Sequence, residues 1–279
     1  MEILEIILPR SRVMRIVTWN VRRATAKSPV WTMLLEIAPD IALLQEVGEF
    51  PQEVTSKFDV RLEQAIGKTG RVQKFGTAVL VRGKITEELR LISEHDWVNH
   101  ELDLFSGNLV GCKVIPEDQS PKNVISVYSP AWPVDKSRLS NVDVSSVKLN
   151  DSPDVWVTEI LWSGLKGAMP LSGDQWIVGG DFNSSETFDY LWKGGPHGNR
   201  EILDRMDVLG LKECLRAYNG ELIPTFKNAS NGEIIHQLDH LFISEGLSSS
   251  LERCIVGDAS RIFGESLSDH LPVIGDFAY

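Results

Sequence analysis

The chain reads as one α/β domain, and three observations predict it. Short apolar runs of strand character alternate with amphipathic helical stretches, 279 residues are within reach of one large sandwich, and 42% hydrophobic content suffices for a sizeable core. Residues 1–12 are expected to be an N-terminal extension and residues 13–279 the domain proper. The opening Met1-Glu2-Ile3-Leu4-Glu5 is apolar but carries acids where an export signal wants basic charge, and Met14 offers an alternative first residue. Met14 to Trp19 then form an apolar strand that runs into Asn20. Ser28 to Ala38 place Val30, Met33, Leu34 and Ile37 at helical spacing, with Ser28 as the cap and Pro29 in the first turn. Asp40 to Gln45 form a second strand, ending at Glu46. Gly76 to Arg82, Leu109 to Ile115 and Asn123 to Tyr128 read as strands of a meander.

Ala131 to Ser152, rich in Ser, Asn and Asp, is a long irregular loop. Asp154 to Lys166 is a helix that packs Val155, Ile160, Trp162 and Leu165. Trp176-Ile177-Val178 is a buried strand, after which Gly179 and Gly180 let the backbone turn so that Asp181 and Asn183 face one pocket. Glu186 to Arg200 shows no regular pattern and Glu201 to Leu209 is a short helix. Gln237 to Ile243 is a strand with an acid, Asp239, inside it. Repeats and low-complexity segments are absent, and no run of eighteen apolar residues offers a membrane span.

Composition narrows the function. The net charge of −11 argues against a tight, nonspecific grip on nucleic acid, because Lys and Arg contacts to phosphate supply most of that affinity. Local cations remain: Arg22, Arg23 and Lys27 follow the first strand, and Lys68, Arg71 and Lys74 crowd one loop. Cys112, Cys214 and Cys254 are odd in number and far apart, which speaks against a disulfide framework or a zinc site and for a reducing, cytoplasmic setting. Gly67-Lys68-Thr69 imitates the end of a P-loop, but Leu62 stands where that motif needs glycine.

Gly-Asp-Phe-Asn at 180–183 and Ser-Asp-His at 268–270 carry the chemistry. Carboxylate and amide oxygens are hard donors that suit Mg²⁺ or Mn²⁺ and an attacking water. Taken alone, Gly-Asp-Phe-Asn serves equally well as a turn whose Asp and Asn bond their own backbone. The weight comes from repetition: Asn20, Glu46, Asp181, Asn183 and Asp239 all lie at or near the ends of apolar runs, the way a sheet scaffold converges a rigid set of ligands.

With these residues the chain resembles the endonuclease/exonuclease/phosphatase superfamily, which includes exonuclease III-type abasic-site endonucleases and deoxyribonuclease I. The resemblance rests on Thr18-Trp19-Asn20, Leu44-Gln45-Glu46, Tyr128-Ser129-Pro130, Gly180-Asp181-Phe182-Asn183, Gln237-Leu238-Asp239-His240 and Ser268-Asp269-His270-Leu271-Pro272, in the family's order. It implies a four-layered sandwich of two packed mixed β-sheets flanked by helices, and Mg²⁺-dependent hydrolysis of a phosphoester, with Mn²⁺ as a substitute. It also implies roles. Glu46 would bind the ion with Asn20 close by and Asp269 on the same or a second ion; Asp181 would prepare the water and Asn183 hold the phosphate or nucleophile. His270, held by Asp239, would meet the phosphoryl oxygens with Tyr128 as a further donor. His240 is read as mainly structural, with a substrate role left open.

Family membership leaves the substrate open. Nucleic acid cut by a monomeric nuclease is the first expectation, with Arg22, Trp132 and Trp192 as substrate-binding residues. A small nucleotide or phosphorylated metabolite is the alternative that the acidic surface suits, and an inactive binding module is the alternative of another class.

Overall fold

Alternate residues of the strand-forming runs are apolar on both faces, so both faces must be covered. In Ile41-Ala42-Leu43-Leu44, Ile41 and Leu43 join one buried cluster while Ala42 and Leu44 join another. The computed structural model describes residues 13–169, 174–191 and 198–279. In chain order the elements are β1 (Val13–Ala24), α1 (Val30–Ile37), β2 (Ile41–Val47), α2 (Gln52–Thr55), β3 (Asp59–Ile66) and β4 (Val72–Val81). The middle of the chain supplies β5 (Gly83–Glu88), α3 (Asp96–Leu104), β6 (Leu109–Pro116), β7 (Lys122–Tyr128), α4 (Val157–Ala168), β8 (Trp176–Asp181), α5 (Glu186–Leu191), α6 (Asn199–Val208), β9 (Leu211–Glu213), α7 (Cys214–Asn219) and β10 (Asp239–Ser244). Then α8 (Glu245–Ser248), β11 (Leu251–Val256), α9 (Ala259–Gly264) and β12 (Val273–Ala278) follow.

The strands form two six-stranded mixed sheets, ordered β11-β12-β1-β2-β4-β3 and β5-β6-β7-β8-β10-β9. Each has one parallel pair, β1 with β2 and β7 with β8, among antiparallel neighbours. Ile16, Ile41, Leu43 and Val79 of the first sheet meet Val124, Ile177, Leu241 and Ile243 of the second in one core. On the outer side of the first sheet, Trp19, Leu44 and Leu80 pack against Val30, Trp31 and Leu34 of α1 and Ile262 of α9. On the outer side of the second, Ile125, Val178 and Phe242 pack against Val98 of α3, Ile160 and Leu165 of α4 and Met206 of α6. This is the expected four-layered sandwich.

Four local expectations need correction. Gly76 to Arg82 is not part of a meander with the next two strands: β4 pairs with β2 and β3 in the first sheet, while β6 and β7 pair with each other in the second. Ser28 does not cap α1: Pro29 takes the capping position, and the Ser28 hydroxyl accepts from the Thr25 N–H at 2.9 Å instead. Gly179 and Gly180 are strand residues of β8 rather than a turn, and Gly180 is required by close approach, since a Cβ there would sit 1.9 Å from the Val127 carbonyl oxygen of β7. Glu186 to Arg200 is partly regular, with α5 at its start and α6 beginning at Asn199. Trp192, in this stretch, and the extension 1–12 lie outside the described residues.

Ala131 to Ser152 is irregular, as expected, yet firmly attached. Arg138 forks onto the buried carboxylate of Glu101 with two bonds of 2.8 Å, Lys136 pairs with Asp154 at 2.7 Å, and Arg205 of α6 donates to the carbonyls of Val147 and Lys148. Glu159, in the first turn of α4, accepts from the N–H of Trp156 at 2.6 Å and of Leu149 at 2.8 Å, tying loop to helix. Glu159→Ala should therefore lower stability by about 1–3 kcal/mol by leaving the buried Leu149 donor and the part-buried Trp156 donor bare, measured by denaturant unfolding. Burial raises the Glu159 carboxyl from 4.5 to about 7 in spite of these bonds. A raised folded value makes its contribution fullest below pH 4.5 and lost as pH rises toward 7, so the gap between wild type and variant should narrow across that window.

Candidate functional site

Both parallel pairs end on the same side of the sandwich, and the polar residues converge there. In the second sheet Tyr128 is registered with Asp181, and Asp181 with Asp239, across the adjacent ends of β7, β8 and β10. Residues in register share a face, so the two carboxylates are cross-strand neighbours, an arrangement that repels unless a cation intervenes. His270 supplies it. Its Nδ1 lies 2.8 Å from Asp239 Oδ2 and its Nε2 3.9 Å from Asp181 Oδ2, all three groups being buried.

Electrostatics follows from that burial. Desolvation pulls the imidazole down, but the charges of Asp239 and Asp181 and the bond to Asp239 outweigh it and raise His270 to about 10. Burial, with the charge of Asp239, raises Asp181 to about 7, against the opposing pull of His270 and the bonds from Asn20 and Asn183. Asp239 Oδ1 is buried with no hydrogen-bond partner, so its charge is directed at His270 through Oδ2.

The first sheet contributes the other half. Asn20, at the end of the regular pairing of β1, donates from Nδ2 to Asp181 Oδ2 at 3.0 Å, and its Oδ1 accepts from the Arg22 N–H at 3.0 Å. Asn20 pairs with Gln45 and Ala24 with Val47, so Val21, Arg22 and Arg23 bulge opposite the single residue Glu46. Arg22, Arg23 and Glu46 adopt φ of 49°, 56° and 53°, the left-handed region, and Asn183 does so at 46°. Four strained non-glycine residues at one place, each costing on the order of 1 kcal/mol or more, mark a site held open by its surroundings. Tyr128 donates to Glu46 Oε1 at 3.2 Å, and burial with the nearby charges of Glu46 and Asp181 pushes its phenol well above the usual range. Asn183 donates its N–H to Asp181 Oδ1 at 3.0 Å and its amide to the Ser129 carbonyl at 2.8 Å, while Phe182 turns into the core. Asp269 faces Arg22 at 3.7 Å and Glu46 faces Arg23 at 3.5 Å.

Neighbours of the chemical groups, two of them inside the quoted motifs and two outside any, hold this set. Ser268 donates from Oγ to the Asn20 carbonyl at 2.7 Å, and Trp19 from Nε1 to the His270 carbonyl at 2.9 Å, pinning the histidine segment to β1. The Thr225 hydroxyl accepts from the N–H groups of Leu238 and Asp239 at 3.0 and 3.1 Å, and Phe226 packs on the His270 ring with centroids 4.9 Å apart. Neither Thr225 nor Phe226 stands out in sequence. His240 is buried between Gln237 and the Ser184 carbonyl, the structural position expected of it. Trp132 is half-buried and lines a cavity of about 310 Å³ with Lys68, Phe105 and Lys136, which joins the long irregular loop to the cationic loop of Lys68.

One ligand-type atom each of Asp181, Asp239 and His270 lies within 4.8 Å of the others, a spacing a metal cluster could share. A histidine held protonated by two carboxylates is a hydrogen-bond donor and not a ligand, so the trio fits proton handling better. Glu46 and Asp269, the remaining carboxylates, each face a long-range, exposed guanidinium group.

Asp239→Asn should lower the His270 pKa by more than a unit, read from the imidazole signals in an NMR titration. A raised folded value stabilises the protein fully below pH 6.5 and loses that effect as pH climbs toward 10, so the same variant should flatten the alkaline limb of the stability profile. An unchanged His270 titration would remove Asp239 from this role.

Comparison with known proteins places the chain. The model of the Endonuclease/Exonuclease/phosphatase family matches residues 17–270. Solved structures share the fold: an AP endonuclease from Archaeoglobus fulgidus is 20% identical with a TM-score of 0.67, covering 95% of this chain and 99% of its own. A 3′ phosphatase from Neisseria bound to a product DNA hairpin is 20% identical with a TM-score of 0.65, covering 95% and 100%. An AP endonuclease from Leishmania major is 17% identical with a TM-score of 0.63, covering 98% and 90%. No curated protein matches at the sequence level. Among the described residues no helix is long and apolar enough to cross a membrane.

Proposed function

The chain belongs to the endonuclease/exonuclease/phosphatase family, and from that premise we propose that it is a divalent-metal-dependent phosphodiesterase acting as a nuclease in a reducing, cytoplasmic setting. The observation that carries the reading is the buried Asp181, His270 and Asp239 set beside Tyr128, Asn183 and two carboxylates fit for a hard ion. Glu46 and Asp269 would hold Mg²⁺, or Mn²⁺ in its place, with Asn20 beside them. When bound, the ion supplies positive charge that polarises the phosphate and steadies the leaving oxygen.

The chain's own groups account for the proton and the charge. Asp181, made more basic by its burial beside Asp239, suits a base that takes the proton of a water, and Asn20 and the Asn183 N–H fix its carboxylate. His270, kept cationic by Asp239, donates to phosphoryl oxygens as negative charge builds on them. Tyr128 stays neutral and, through Glu46, orients the carboxylate assigned to the ion. Trp132 with Lys68, together with Arg22, supplies stacking and charge for a strand; Trp192 is a further stacking candidate. Relatives that are AP endonucleases, and one bound to a DNA hairpin, support nucleic acid as the substrate class. The net charge of −11 favours the second reading, a small nucleotide or phosphorylated metabolite.

A panel of abasic duplex, single-stranded DNA, RNA, dinucleotides and inositol phosphates, assayed with Mg²⁺, Mn²⁺ and EDTA, separates these readings. Turnover should require the ion, and Asp181→Asn and His270→Ala should each cut it by about a hundredfold or more. Near-normal turnover in either variant would sink its role, and no turnover of any substrate by the wild type would favour a binding module.

Trp132→Ala should raise KM for the true substrate more than it lowers kcat, since stacking is made before the transition state. The loss should amount to about 1–3 kcal/mol if one base stacks there. A lowered melting temperature with unchanged kinetics would make Trp132 a packing residue instead.

A further inference from the structure

We propose that Arg22 and Arg23 are built-in competitors for the divalent ion, each guanidinium pairing with one of the carboxylates assigned to that ion and passing to the substrate phosphate when the ion binds. This rests on the metal assignment made above for Glu46 and Asp269. The pairing is not a chance meeting of surface side chains. A bulge of three residues against one, with Arg22, Arg23 and Glu46 all in the left-handed region, turns two consecutive arginines to the same end of the sheet. Arg23 Nε lies 3.5 Å from Glu46 Oε2, and its guanidinium is placed over the Phe75 ring at 5.1 Å. Phe75 in turn meets Tyr128 edge-on at 5.6 Å, and Tyr128 donates to the other oxygen of Glu46, so both oxygens have a partner held by one aromatic cluster. Arg22 Nε lies 3.7 Å from Asp269 Oδ2.

A guanidinium beside a carboxylate oxygen repels a dication approaching that oxygen, so the two cations compete for it. The arginine side chains are 52% and 71% exposed, so they can swing away without unpacking the core. Once displaced they are free donors beside a phosphate, for which Arg has a matching fork. Ion and phosphate should then assist one another: a phosphate that draws the arginines off frees the carboxylates, and by reciprocity the ion improves phosphate binding by the same factor.

The test is Mn²⁺ affinity of the full chain by paramagnetic resonance, without substrate, for wild type, Arg22→Ala, Arg23→Ala, the double variant and Glu46→Gln, each with and without methyl phosphate. Each arginine removed should tighten Mn²⁺ by about two- to fivefold, the range open to exposed ion pairs. Methyl phosphate should tighten it in wild type and much less in the double variant. Arg23→Lys keeps the charge and should bind as wild type, and it guards against a packing effect at Phe75. Unchanged or weaker Mn²⁺ binding in the alanine variants overturns the proposal. If that happens while Glu46→Gln still loses the ion, the metal assignment stands and only the competition is wrong; if Glu46→Gln binds Mn²⁺ normally, the metal assignment falls and this inference with it.

Discussion

The site depends on one electrostatic constraint: Asp181 and Asp239 are directly opposed on β8 and β10, both buried, and two carboxylates so placed cannot both be charged without a cation. The antiparallel register of these strands is fixed by the apolar residues behind them, Ile177 and Val178 against Ile243 and Phe242, so neither acid can slip away. His270 therefore has to arrive from elsewhere in the chain, and much of the surrounding bonding serves to deliver it. Ser268 and Trp19 tie its segment to β1, Thr225 holds the backbone of Asp239, and Phe226 covers its ring. The same constraint sets the protonation states. The pair of carboxylates keeps the imidazole charged, while burial beside Asp239 leaves Asp181 easier to protonate than an ordinary aspartate.

The location follows from topology. Parallel neighbours send their carboxyl ends the same way, and the two parallel pairs of this fold, β1 with β2 and β7 with β8, point their ends to one side of the sandwich. Antiparallel β10 adds its beginning to that same side. Ends of strands are where the ladder stops and side chains are released from strict alternation, which is why α/β sheets gather ligands there. Here the release is strained: Glu46, Asn183, Arg22 and Arg23 accept left-handed backbone that their side chains disfavour. The rigid sheets behind them hold it, through Gly180 packed against the Val127 carbonyl and Gln45 donating across the core to Ser126 of the other sheet at 3.0 Å.

The central strands and the chemistry were legible because they share a signal, an apolar run that stops at an oxygen-bearing residue. Asn20, Glu46, Tyr128, Asp181, Asn183, Asp239 and His270 all carry it or adjoin it, and all are brought together. The edge strands are different. β3, with Arg61 and Glu63, and β5, with Lys84, Glu87 and Glu88, carry charged residues where a core strand would be apolar, Arg61 pairing with Glu88 between the two sheets, so their alternation blurs into that of a loop. β9 spans only three residues and owes its form to pairing with β10. Thr225 and Phe226 were illegible because their partners lie 13 or more residues away, and a hydroxyl that accepts two backbone N–H groups leaves no periodic trace. Ser28 failed as a cap because its hydroxyl has a nearer donor in Thr25, a choice set by the turn and invisible in the residue type.

The acidic balance of the chain and a polyanionic substrate are reconciled at the scale of the site. Glu46, Asp181, Asp239 and Asp269 face Arg22, Arg23 and His270, so the carboxylates are only just in excess, and whatever the remaining surface carries is screened within about 8–10 Å at ordinary ionic strength. A dication held by Glu46 and Asp269 would turn that small excess into a net positive pocket. Positive charge would then be concentrated at the site, with Lys68 and Lys136 beside Trp132 as a second cationic spot. On the proposed nuclease reading, such a site would favour one phosphate with an unstacked base next to it over long duplex contacts. On this argument the negative net charge does not exclude a nucleic-acid substrate; it selects for recognition of a local feature over recognition of length.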